Sequence, residues 1–337
     1  MLVGKAGDMD AENVYGREPG LRFACLLDGS GGCRKLDWAG VGAWQAEEGV
    51  LWVHLERDAE EAARWVRERS GIDPVNGEAL LAEDSRPRVE ENDDALLVVL
   101  RGINMGKTAD LVPIHFWVDS RRVVTLRNKD HNLMALRDIV AELSAGRGPA
   151  TVGRLLVKIV GKLVKHVEPL LQGLEDEVDD LDEKLDKLPS KQARETLGQL
   201  RRRAIVLRRY LAPQREALSQ LQYAETSWLG SRDRVHLREV ADRILRAVEN
   251  LDLIRDRTTI LHEDLTAHVA EQISRTSHRL TTIATLVLPP SLVAGVLGAN
   301  IGGIPGSTDS WAFAALVLVV GALIILEVWI LKKLDWF

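Results

Sequence analysis

Two apolar stretches near the C-terminal end constrain this 337-residue chain more than any other feature. Leu280 to Ile301 carries no charge and leads into Gly298-Ala299-Asn300-Ile301-Gly302-Gly303-Ile304-Pro305-Gly306, and Trp311 to Leu331 follows with one ionisable residue, Glu327. A helix needs about 20 apolar residues to cross about 30 Å of hydrocarbon. Each stretch is long enough, and the pair predicts a transmembrane hairpin rather than a helical hairpin buried in a soluble protein. No Lys or Arg lies between Arg279 and Lys332, whereas Arg275 and Arg279 precede the first span and Lys332 and Lys333 follow the second. The positive-inside rule then sets both termini in the cytoplasm, with the spans in the cytoplasmic (inner) membrane. Trp311 and Phe313 at the outer edge, and Trp329, Trp336 and Phe337 at the inner edge, fit aromatic belts.

The mean hydropathy of −0.07 averages a charge-rich body with this apolar end. A net charge of −6 argues against a nucleic-acid partner, which needs a basic surface, and suits cations better. Cys25 and Cys33, placed in reducing cytosol, are expected as free thiols, and two thiols cannot close a zinc site. Met1 to Lys5 lacks an apolar core, so no cleavable signal is expected and the hairpin itself must direct insertion.

Residues 1–150 read as a cytoplasmic α/β domain. Short β-branched and aromatic runs predict strands at Leu21 to Leu27, Val50 to Leu55, Ala95 to Arg101, Ile114 to Val118 and Arg121 to Arg127. Asp58 to Ser70 predicts a helix, with an acidic first turn and Ala62, Ala63, Trp65 and Val66 at helical spacing. Asp28-Gly29-Ser30-Gly31-Gly32 resembles a phosphate loop only in its glycines and is expected to be a hairpin turn. Gly102-Ile103-Asn104 follows no membrane-length segment and is assigned to a loop.

Residues 151–279 are helical in pattern, punctuated at Pro169, Pro189, Pro213 and Gly230, and should stack as a long-helix stalk. The acidic run from Leu174 to Glu183 has two readings: a place that gathers divalent cations, or a solvated helix face whose leucines and valines pack at helical spacing. The second is favoured. The remaining boundaries are 280–301 for the first span, 302–310 for an outer, periplasmic loop, 311–331 for the second span and 332–337 for a cytoplasmic tail.

Counting back in sevens from Gly298 gives Ser291, Ala284, Ser277 and Ala270, and from Gly295 gives Leu288, Thr281, Ser274 and Ala267. All but Leu288 are small. A 3.5-residue repeat marks one face of a supercoiling helix, so one helix should run from stalk into membrane. Small side chains on that face allow either close packing or a central channel in a ring of helices. On the channel reading Ser277, Thr281, Ala284, Leu288, Ser291 and Gly295 line the pore, and Leu288 forms an apolar constriction. From Leu280 through Thr308 there is no His, Cys, Asp or Glu, the side chains that bind a transition metal directly, so a cation passing here should keep most of its water. Hydroxyls, carbonyls freed at the glycines and the Asn300 amide can accept hydrogen bonds from that water. Gly298, Ala299 and Asn300 form the candidate selectivity motif, with Asn300 also suited to end the helix.

The α/β domain, helical stalk, two terminal spans and Gly-x-Asn motif together resemble the CorA metal-ion transporter superfamily. His262-Glu263-Asp264, Leu288-Pro289-Pro290-Ser291 and the Gly-Gly-Ile-Pro-Gly segment after Asn300 look most like its ZntB branch of zinc transporters. Ala299 departs from both the magnesium and the zinc patterns, and Asp309 is the lone acid of the outer loop. The resemblance implies a homopentamer with a cytoplasmic funnel, first spans lining the pore, second spans facing lipid, and no cofactor. Its implied cargo is Zn²⁺, moved with proton coupling, and the alternative is a CorA-type Mg²⁺/Co²⁺ channel. Coupling needs a titrating group, for which the membrane part offers Asp309 and Glu327 and the nearby stalk adds His262, His268 and His278. His262 and His268 are candidate funnel contacts for the cation, or else ordinary surface histidines.

Two alternatives come from other classes. A membrane-anchored enzyme finds no Walker lysine, no Gly-x-Ser-x-Gly and no His-Glu-x-x-His here, and His54 and His115 read as packing or surface residues in strands. The chain is therefore read as a non-enzyme. A pure scaffold would need no polar face inside the membrane.

Overall fold

A computed structural model describes residues 18–83, 86–104, 110–185, 187–298 and 310–333. The chain divides into two compact units, one ending at Leu261 and the other beginning at His262.

The first unit is built on strands β1 (Leu21–Leu27), β2 (Cys33–Lys35), β3 (Leu51–Glu56), β4 (Arg88–Asn92), β5 (Ala95–Ile103), β6 (Leu111–Val118) and β7 (Arg122–Arg127). They form one sheet in the order β2-β1-β3-β7-β6-β5-β4, in which only β3 and β7 run parallel. Helices α1 (Trp38–Ala43), α2 (Glu60–Glu68) and α3 (Pro74–Leu81) lie between the strands in sequence, followed by α4 (Met134–Ser144) and α5 (Val152–Lys165). Local chemistry sets the starts of these helices. The Asp37 carboxylate accepts from the Gly40 amide, Asp73 accepts from Val75 and Asn76 with Pro74 behind it, and Thr151 accepts from Arg154.

The Gly-rich segment is a hairpin turn. Asp28 Oδ1 accepts from the Ser30 and Gly32 amides at 2.8 and 2.9 Å, and Gly29 and Gly31 take positive φ. Those amides are thus held by the chain's own carboxylate. Gly102 and Ile103, expected in a loop, instead continue β5, and Asn104 bridges Leu133. The reason is packing: a Cβ at Gly102 would collide with Leu163 Cδ2, so glycine there lets α5 approach the strand.

One sheet face joins α2 and α3 in a core that includes Leu51, Val53, Leu97, Val124, Trp65 and Leu80. Helices α4 and α5 meet the sheet through Gly102, Leu133 and Leu163. Between β3 and β7 lies a buried polar chain. Trp52 Nε1 donates to Thr125 Oγ1 at 3.1 Å, and Thr125 Oγ1 donates to the Val53 carbonyl. Arg127 Nε donates to His54 Nε2 at 3.1 Å, which leaves the His54 proton on Nδ1, 2.9 Å from Thr125 Oγ1. Burial, reinforced by the Arg127 charge, holds His54 well below the ordinary histidine range, in accord with this neutral tautomer.

The rest of the unit is helical: α6 (Glu168–Lys184), α7 (Ser190–Tyr223) and the first part of α8 (Ser231–Leu297). Pro169 and Pro189 mark helix starts as expected, but Pro213 does not break α7. An interior proline removes one backbone bond and costs about 3 kcal/mol. Burial on both sides of it offsets that, through Leu207, Leu211, Ala217, Leu218 and Leu221. Beside it, Gln214 Oε1 accepts from the Arg101 amide at 2.7 Å and the Arg101 guanidinium stacks 3.7 Å from the Tyr210 ring, tying α7 to β5.

The acidic run follows its favoured reading. Leu174, Val178 and Leu181 are buried along α6, while Glu177 pairs with Arg203, and Asp179 and Asp182 with Arg257. The second unit holds the remainder of α8 and α9 (Ala312–Lys333).

Candidate functional site

Helices α8 and α9 are both long and apolar enough to cross a membrane. In the apolar part of α8, from Leu280 onward, the half-buried positions are Thr282, Thr285, Leu286, Pro289, Pro290 and Val293, one line at helical spacing. Those of α9 include Ala312, Leu316, Val320, Leu323 and Glu327. The described positions of the small-residue repeat are all exposed, from Ala267, Ala270, Ser274 and Ser277 through Thr281, Ala284, Leu288, Ser291, Gly295 and Gly298. At about 100° per residue they centre on the side of α8 roughly opposite its half-buried line. Among the described residues this face is exposed, with Leu288 on it 66% exposed.

The face carries the hydroxyls of Ser274, Ser277, Thr281 and Ser291 and no charge, whereas the two prolines belong to the half-buried line. Pro289 and Pro290 lie inside α8 and lack the amides that would bond to the carbonyls of Thr285 and Leu286. Thr281 already accepts from the Thr285 hydroxyl at 2.9 Å. Gly298 closes the described helix, its amide donating to the Ala294 carbonyl at 2.8 Å. Ala299, Asn300, the Gly302–Gly306 segment and Asp309 lie outside the described residues, as do Trp336 and Phe337. On α9, Glu327 is half-buried and its Oε2 is enclosed without a hydrogen-bond partner among the described residues. At the far end of the helix, Lys333 stands 5.2 Å over the Trp329 ring, an arrangement suited to a membrane interface.

His262 and His268 are both exposed on α8, and about 240° of helical rotation separates them. Among the described residues no three His, Cys, Asp or Glu side chains come together as a metal site. Within one chain, therefore, the cation-contact residues proposed in the stalk are not gathered. Cys25 and Cys33 are free thiols on adjacent strands. The Cys25 thiol is pushed up by its hydrogen bond to Cys33 and by burial, and the same bond lowers Cys33. Sequence reasoning missed a cluster of cations between α5 and α8, because its residues come from helices far apart in the chain.

Comparison with known proteins decides the family. The model described as "CorA-like Mg2+ transporter protein" matches residues 47–333. The chain belongs to this CorA-like family. Among its relatives, the divalent cation transporter CmaX of Pseudomonas aeruginosa is 35% identical over 95% of this chain and 98% of its own length. The zinc transport protein ZntB of Yersinia enterocolitica is 32% identical over 93% and 95%. The solved full-length CmaX structure superposes with a TM-score of 0.82 over 95% of this chain and 99% of that one. The complete CorA magnesium transporter of Methanocaldococcus jannaschii gives 0.80 over 93% and 98%, at 19% identity, a likeness of fold. The CorA-like architecture thus comprises the α/β domain and the long α8, whose apolar end and α9 are the two C-terminal apolar segments.

Proposed function

We propose that this protein carries divalent zinc across the cytoplasmic membrane through a homopentameric pore whose wall is the exposed small-residue face of α8. The observation that carries the proposal is the position of that face: it lies opposite the half-buried line of α8, is free of charge through the membrane segment, and is exposed among the described residues. Membership of the CorA-like family supports divalent-cation transport. Zinc as cargo is supported by the ZntB relatives, and the absence of direct metal ligands along the span supports passage of a hydrated ion. Asn300 is assigned the outer filter with Gly298 and Ala299, Leu288 the apolar constriction, and Ser277, Thr281, Ala284, Ser291 and Gly295 the wall. Both termini lie in the cytoplasm.

Proton coupling requires a group that titrates inside the membrane segment, and Glu327, enclosed and without a partner among the described residues, is assigned that role. The second cargo, Mg²⁺, is favoured by the family's own description. Flux into proteoliposomes separates the two. Zinc entry that follows an imposed pH gradient, persists in excess Mg²⁺ and is lost in Asn300→Ala fits the proposal, whereas flux blocked by Mg²⁺ assigns the magnesium reading. Glu327→Gln should keep zinc flux down a zinc gradient and lose its response to the pH gradient.

A further inference from the structure

The first unit contains a cleft of about 500 Å³ between α5 and the start of α8, within the size range of small-molecule sites. Two glycines set its floor. Gly153 brings α5 against Asp233 and the Trp228 carbonyl, and Gly161 faces Val240 two turns later, so the two helices run side by side in the same direction. Each helix then presents one face to the cleft: Arg154, Lys158, Lys162 and Lys165 from α5, and Arg232, His236 and Arg243 from α8.

The charges of this cleft are unbalanced in a specific way. In its middle the cations are neutralised: Lys158 and Lys162 pair with Glu142 at 2.5 and 3.0 Å, Lys162 also reaches Asp138, and His236 lies 3.5 Å from Glu239. Burial, which would raise the Glu142 carboxyl, is outweighed by the hydrogen bonds from both lysines, so it sits below the ordinary glutamate range. At the two ends the cations are not neutralised. Arg154 and Arg232 on one side, and Lys165 and Arg243 on the other, form no ion pair among the described residues, although Arg243 also borders a neighbouring cavity lined by Glu168, Glu175 and Glu249. Elsewhere in the same unit Arg203, Arg208, Arg255 and Arg257 rest on acids, whereas Arg201, Arg202, Arg215, Arg238 and Arg246, like the four of the cleft, form no ion pair among the described residues. What sets these four cations apart is that they line one cavity.

We propose that this cleft is a binding site for an elongated anion carrying several phosphates, either a nucleoside triphosphate or an inorganic polyphosphate. Guanidinium forks bind phosphate oxygens in pairs, and the two cationic ends lie eleven helical residues apart, about 16 Å. That span exceeds a single phosphate or carboxylate, and a chain of phosphates meets both ends where the long Arg and Lys side chains reach inward. The site is independent of the cargo assigned to the membrane segment.

The test is isothermal titration of the full-length protein in detergent with EDTA present, using ATP, sodium tripolyphosphate and adenosine as probes. The double variant Arg154→Ala/Arg243→Ala removes one unpaired cation from each end, Arg154→Lys/Arg243→Lys restores charge, and Arg194→Ala on α7 serves as control. The expected result is saturable binding of ATP or tripolyphosphate, weakened at least tenfold in the alanine pair, largely recovered in the lysine pair and unchanged in the control. Equal binding of ATP and tripolyphosphate with none of adenosine assigns recognition to phosphate alone, and tighter binding of ATP assigns a nucleotide. Absence of saturable binding by both phosphate probes, or alanine-pair binding equal to wild type, overturns the proposal. So does loss of the oligomer in the alanine pair without any anion binding by wild type, since the cations would then face a neighbouring copy's acids.

Discussion

His54 shows how much one side chain can reveal about its surroundings. Its Nε2 accepts from Arg127 and its Nδ1 donates to Thr125, so every polar atom of the ring is satisfied only when the ring is neutral. The folded pKa is depressed, so the unfolded chain binds a proton where the folded one does not once pH falls below about 6.5. The stabilisation is complete above that value and is lost as pH drops from there toward the folded pKa. Urea midpoints of wild type should therefore decline between pH 7.5 and pH 5.5, and His54→Gln should show a shallower decline. Equal slopes in the two proteins would remove His54 from the account. Gly153 and Gly161 make a second residue-scale contrast. A Cβ at Gly153 would meet the Trp228 carbonyl at 3.0 Å and the Asp233 carboxylate at 2.6 Å, whereas at Gly161 it finds only Val240 at 3.8 Å. Gly153→Ala should cost about 1–3 kcal/mol through overpacking against backbone, and Gly161→Ala should gain about 0.5–1 kcal/mol from helix propensity. Thermal midpoints followed by circular dichroism would move in opposite directions.

At the scale of elements, α8 carries the sharpest functional expectation. If its small-residue face lines a conduit, Leu288→Ala should raise ion flux several-fold by widening the apolar constriction, and Thr281→Ala with Ser291→Ala should lower it by removing hydroxyls that bond to the ion's water. Unchanged flux in both variants, measured in proteoliposomes of matched protein content, would favour the scaffold reading. The elements legible in sequence were those whose pattern repeats or is continuously apolar: β1, β3, β5, β6 and β7 are buried runs, and α2 shows its Ala62, Trp65 and Val66 stripe. Strands β2 and β4 were not legible, because Cys33-Arg34-Lys35 and Arg88-Val89-Glu90-Glu91-Asn92 sit at the sheet edges and bury little. Pro213 misled for a related reason: a helix breaker in isolation is tolerated where burial on both sides exceeds its cost. The candidate wall of the pore was legible because it lies on one helix at a fixed period, and the basic cleft was not because it joins two helices through their packing.

For the molecule as a whole, the question is what covers the exposed part of α8. Every residue from Glu271 to Thr281 is exposed in the single chain, including Ile273 at 65% and Leu280 at 64%. Such a helix is expected to meet copies of itself. A homopentamer predicts a protein mass near five times 37.4 kDa once detergent is subtracted, which light scattering after size exclusion would read directly, and a monomeric mass would leave the pore without a wall. The sheet limits how those copies can meet. β2 is three residues long and carries Arg34 and Lys35, while β4 lies against α7, so neither margin offers a free row of amides and carbonyls for a second chain to extend. The same short, charged margins that keep the sheet finite therefore leave self-recognition to helices, and they also protect a nascent chain, already displaying two greasy segments, from joining its neighbours strand to strand.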